Sequence, residues 1–148
     1  MTANVSPTLI AEGAIRYWHL MFLWREIEHW WDIFNPPSMR HVLAYGYNTD
    51  CECWVIVNPA QSMTVVQVMN EKAFDLWLSE QLTTKPQVFR APAKEGSDYS
   101  NRIIQTCTTV VARLIGYPSA LRPITLMRML AAQKAERVFV DEHQNESP

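Results

Sequence analysis

Apolar residues recur at helical spacing over residues 10–34, with Ile15, Trp18 and Phe22 followed by Ile27, Trp30, Trp31 and Phe34. This predicts a helix that Asn35-Pro36-Pro37 ends. Alternation then takes over. Residues 40–47 read as a strand opening at Arg40-His41, Asn48-Thr49-Asp50 as a turn, and 53–57 as a second strand stopped by Asn58-Pro59. A third strand follows over 63–69, and the short connections predict an antiparallel meander. Helical spacing returns from Glu71 to Leu82, with Asn70 placed to cap it. Residues 87–90 form a short extended piece between prolines, and 91–100 a polar loop. A last helix is expected from Pro123 to Lys134, while residues 1–8 and 141–148 read as loose ends.

The stretch 105–116 organises the rest. Cys107, Val110, Val111, Leu114 and Ile115 lie on one helical face, Gly116 is placed as a C-terminal cap, and Pro118 blocks continuation. Ser100, Asn101 and Thr106 are each able to cap its start, so Cys107 lies either inside the helix or at its first turn. At the first turn the helix dipole favours a thiolate, and with it a nucleophile. Inside the helix the cysteine is a small apolar core residue. Both readings stand on this stretch alone.

Composition narrows the field. The 148 residues fit one domain, and 48% hydrophobic against 19% charged residues describes a globular chain. A net charge of −2 makes no electrostatic case for a nucleic-acid partner. The apolar run over 17–34 is interrupted by His19, Arg25, Glu26, Glu28, His29 and Asp32, so neither a membrane span nor a secretory signal is expected. Three cysteines is an odd number, and Cys51 and Cys53, placed close together in a strand, are expected not to bond; a reduced compartment follows. Cys51-Glu52-Cys53 lacks zinc spacing, and four scattered glycines form no phosphate loop, so neither metal nor cofactor is expected. Six tryptophans, clustered early, serve either core packing or a partner surface formed by Trp18, Trp24, Trp30 and Trp31.

A cysteine nucleophile needs an imidazole to take its proton and a polar group to hold the imidazole. His19 and His29 fall in the tryptophan-rich segment and His143 in the tail, which leaves His41 at a strand start. Asn58, ending the next strand, is able to bond the ring; turn chemistry before a proline is its plainer role. No Gly-x-Ser-x-Gly elbow offers a serine instead.

The order of these pieces, Arg-His-Val-Leu-Ala-Tyr, then Cys-Trp-Val-Ile-Val-Asn-Pro, then Thr-Cys-Thr-Thr-Val-Val-Ala-Arg-Leu-Ile-Gly, resembles the circularly permuted papain-like fold. That group includes permuted relatives of NlpC-type peptidases and lecithin retinol acyltransferase-like proteins, in which the histidine strand precedes the cysteine helix. Phage-encoded proteins that join such a hairpin to a late helix pair are similar too, and Pro123, Leu126 and Leu130 match the end of their pattern. The resemblance covers roughly residues 38–131. It implies Cys107 as nucleophile, His41 as general base and Asn58 as the orienting residue, where related sequences carry an acid. The oxyanion donors would be the Cys107 amide with Gln105 or a nearby amide.

The expectation is an α+β domain: an antiparallel sheet from 40–69 plus 87–90, packed on the Cys107 helix. A tryptophan-rich helical segment over 1–37 precedes a core over 38–135 and a polar tail over 136–148. The resemblance implies a cysteine hydrolase or transferase acting on an amide bond, in peptidoglycan peptide or a viral protein. Its setting would be a phage virion or the bacterial host cytoplasm. The rival is a non-catalytic tail or head-to-tail component that binds other virion proteins, or itself, through the tryptophan helix.

Overall fold

The computed structural model describes residues 14–27, 33, 35–60, 63–94, 106–116 and 122–138. The elements run β1 (Tyr17–Leu23), a 3-10 turn (Pro37–Met39), β2 (His41–Asn48), β3 (Cys53–Pro59), β4 (Thr64–Met69), α1 (Glu71–Leu82), β5 (Gln87–Pro92), α2 (Cys107–Leu114), α3 (Pro123–Ala132) and β6 (Glu136–Val138). Six strands form one antiparallel sheet in the order β4-β3-β2-β1-β5-β6. The architecture is α+β, and the meander of β2, β3 and β4 stands as its sequence pattern indicates.

The expected N-terminal helix is corrected over Tyr17–Leu23, which is a strand. It lies between β2 and β5, pairing Leu20 with Ala44 on one side and with Phe89 on the other. The physical reason is burial on both faces. Trp18, Leu20 and Phe22 face α2 and α3, while Met21 and Leu23 join the core under α1. A strand covered twice has no polar face to alternate with, so its run of apolar residues mimics a buried helix. Leu20, Met21 and Phe22 have no exposed surface, and each contributes about 1.5–3 kcal/mol of burial. Residues 17–23 are therefore a central strand and not a flanking segment. Trp18 is core at 2% exposure, whereas Trp24 just after the strand is 59% exposed. Trp30 and Trp31 lie outside the described residues, as do the terminal arm over 1–8 and the end of the tail over 139–148.

Smaller differences have local causes. β5 continues through Pro92, within the expected loop, because Ala91 and Pro92 pair with Trp18 and Tyr17. β3 carries on through Asn58 and Pro59, which pair with Val65 and Thr64. The chain after α3 adds β6 beside β5 instead of trailing off. Cys51 lies in the turn between β2 and β3, where Glu52 adopts a left-handed φ of 50°, and this brings Cys51 and Cys53 into a disulfide. The expectation of three reduced thiols assumed both cysteines on one extended strand and is corrected here.

Two layers of helix cover the sheet. α2 lies on β2 and β3, with α3 beside it, and Val111, Ala112, Leu126 and Leu130 fill that core. α1 covers the other face through Phe74, Trp77 and Leu78 against Tyr45, Ile56 and Trp54. Trp54 stacks on Phe74 at 3.9 Å between ring centres.

Candidate functional site

Thr106 settles where α2 begins. Its hydroxyl accepts from the Thr109 amide at 3.2 Å, and the Thr109 hydroxyl accepts from the Thr106 amide at 2.8 Å. This reciprocal cap makes Cys107 the first helical residue. The other end stops at Gly116, whose φ of +80° suits glycine and whose Cβ would meet the Lys94 side chain. Cys107 therefore has the first-turn position, at the positive end of the helix dipole.

The hairpin supplies the rest. His41 opens β2 and Asn58 lies one residue from the end of β3, so antiparallel pairing brings both to one end of the sheet. His41 Nε2–H donates to Asn58 Oδ1 at 2.7 Å. That bond fixes the neutral ring as the tautomer with its lone pair on Nδ1. Nδ1 is buried and has no hydrogen-bond partner among the described residues. The residue before the ring is pinned as well: Arg40 donates from Nε to the Asn35 carbonyl and from Nη1 to the Arg25 carbonyl, both at 3.3 Å.

The thiol and the ring are electrostatic partners. Burial pushes the Cys107 thiol up, but the neighbouring His41 ring, the Val42 backbone amide and the Thr108 hydroxyl favour the thiolate and bring its pKa below the ordinary value. Thr108 Oγ1 lies 4.0 Å from the sulfur. Burial likewise lowers His41, yet Cys107 and then Asn58 outweigh it and raise the ring's pKa, against the positive charge of Arg25. The two shifts have opposite signs because each group favours the charged form of the other.

Cys107, His41 and Asn58 thus come together. Gln105 lies outside the described residues, and Trp18 and Trp24 are remote in role, one in the core and one on the surface. The sequence reading missed Val42 and Thr108, whose contributions to the thiol come from a backbone amide and a neighbouring hydroxyl. A Thr-x-x-Thr spacing around Cys107 was the signal for the cap. Among the described residues no group of three His, Cys, Asp or Glu is placed to hold a metal ion, and no helix is long and apolar enough to cross a membrane.

No family model matches the chain, and neither a curated protein nor a solved structure is significantly similar to it.

Proposed function

We propose that this chain is a permuted papain-like cysteine hydrolase or transferase acting on an amide bond. The observations that support it are the bond of His41 Nε2 to Asn58, which leaves Nδ1 without a partner, and the mutual electrostatic influence of the ring and the Cys107 thiol. The histidine strand precedes the cysteine helix, the permuted order. In this reading Cys107 Sγ gives its proton to His41 Nδ1 and attacks the carbonyl carbon. The carbonyl π pair moves to oxygen, and in this reading the Cys107 backbone N–H donates to that charge. Collapse of the tetrahedral species breaks the C–N bond as His41 returns the proton to the leaving amine. The thioester left on Cys107 is then cleaved by water or by another acceptor. Asn58 keeps the ring oriented throughout.

The resemblance supplies the substrate class, a peptide in peptidoglycan or a viral protein, and a phage setting in virion or host cytoplasm. The test uses p-nitrophenyl acetate as an acyl donor. Mass mapping is expected to find an acetyl group on Cys107 that a His41→Ala variant acquires far more slowly. Absence of the thioester in the folded wild type would overturn the hydrolase reading and favour a non-catalytic virion component.

A further inference from the structure

The two edges of the sheet are built differently. β6 ends one side with three residues, Glu136, Arg137 and Val138, two of them charged. Short length and charge are the usual devices that stop one sheet edge from pairing with another. β4 ends the other side with six residues, Thr-Val-Val-Gln-Val-Met, and has none of those devices. It carries no charge and no proline, and its register with β3 runs without a bulge from Thr64 to Met69. Val65 and Val68 are exposed on opposite faces, Val68 at 57%. Among the described residues β4 has a strand neighbour on one side only.

We propose that β4 is a self-association edge, and that a second copy of this chain pairs with it antiparallel to make one continuous sheet. Symmetry selects the partner and the register. A two-fold axis perpendicular to a sheet preserves its faces, so opposing residues must both carry odd or both even numbers. Centred on Gln67, the pairing sets Val65 opposite Met69 and Val66 opposite Val68, with Gln67 opposite its own copy. Every apolar side chain then meets an apolar one, and the amides meet each other. Centring on Val66 would instead set Val65 against Gln67 and Val68 against Thr64. The strand is self-complementary in one register.

Sedimentation velocity on the full chain tests this with charges at the centre. Gln67 is exposed, so substitution there leaves the core alone. Wild type is expected to be a dimer. Gln67→Lys and Gln67→Glu each oppose like charges across the axis and are expected to weaken dimerisation on the order of tenfold. An equimolar mixture of the two variants is expected to recover the dimer as a heterodimer. A monomeric wild type, a Gln67→Lys variant that dimerises as wild type does, or a mixture that stays monomeric would each overturn the proposal.

Discussion

The β2–β3 hairpin has the same residue types at both ends and uses them differently. At one end Asn58 accepts from an imidazole at 2.7 Å, next to a free cysteine. At the other, Asn48 accepts from the backbone amides of Asp50 and Cys51 at 2.9 and 3.2 Å, next to a disulfide. Asn48 is 4% exposed and has its oxygen spent on its own turn. Asn58 is half-buried and has its oxygen spent on a group that titrates. One asparagine shapes the chain, and the other sets the tautomer of a base. What separates them is the partner that the second element brings: at the Asn58 end α2 delivers a thiol, whereas the Asn48 end has only the turn.

The comparison breaks first if Cys107 is ordinary. Cys107→Ala is expected to abolish acylation and site-specific alkylation while circular dichroism stays unchanged. His41→Ala comes next. Without the ring the thiol loses the neighbour that favours its charge, and burial then pushes its pKa up. The midpoint of iodoacetamide alkylation against pH, below the ordinary thiol value in wild type, is expected to move upward. At neutral pH the Cys107 rate should fall toward that of an ordinary thiol, only a few per cent ionised, and acyl transfer about 10²–10⁴-fold. In wild type, acyl transfer is expected to rise as Cys107 loses its proton and to fall as His41 loses its own, a bell-shaped profile whose acid limb belongs to a thiol held below its ordinary value and whose alkaline limb belongs to a ring held above its own.

The two asparagines sharpen the contrast at smaller effect. Asn58→Ala removes a contact that raises the His41 pKa, so the alkaline limb is expected to move to lower pH and acyl transfer to fall about tenfold. Asn48→Ala leaves two turn amides without their acceptor and is expected to cost about 1–3 kcal/mol in chemical denaturation. It should not move the pH profile. A profile that shifts in both variants, or in neither, would remove the distinction between the two ends.

Legibility in the sequence followed local periodicity. The meander was readable because Asn48-Thr49-Asp50 and Asn58-Pro59 bound its strands, and α1 because Asn70 caps it, whereas the start of α2 stayed open among Ser100, Asn101 and Thr106. β1 was not readable, since Ile15, Trp18 and Phe22 also recur at helical spacing and no turn residue separates them from the apolar positions that follow. Its placement between β2 and β5 is long-range pairing, which no window of sequence contains. Cys107, His41 and Asn58 were readable as types at element ends, and the resemblance ordered them. The Val42 amide was not, because a backbone donor leaves no mark in the side-chain pattern. The disulfide escaped for a related reason: a left-handed Glu52 is a backbone choice, and it alone turns two strand-spaced cysteines toward each other.

The smallest expected effect is at that disulfide. Its loop spans only Cys51-Glu52-Cys53, so it removes little freedom from the unfolded chain, and loop entropy at this length gives about 1–2 kcal/mol. Mild reduction is therefore expected to lower the denaturation midpoint slightly and leave the sheet intact, since Asn48 still holds the turn. The far end of the hairpin should not register the change. In the oxidised protein Cys107 is the thiol available to iodoacetamide. After reduction Cys51 and Cys53 become available too, but neither has an imidazole bonded to an asparagine beside it at the strand end. Cys107 should keep its rate and react fastest of the three below pH 7, read by mass mapping of short alkylation pulses. A Cys107 rate that moves with the oxidation state of Cys51 and Cys53 would show that the two ends of the hairpin are coupled, and their division into a structural turn and a reactive end would fall.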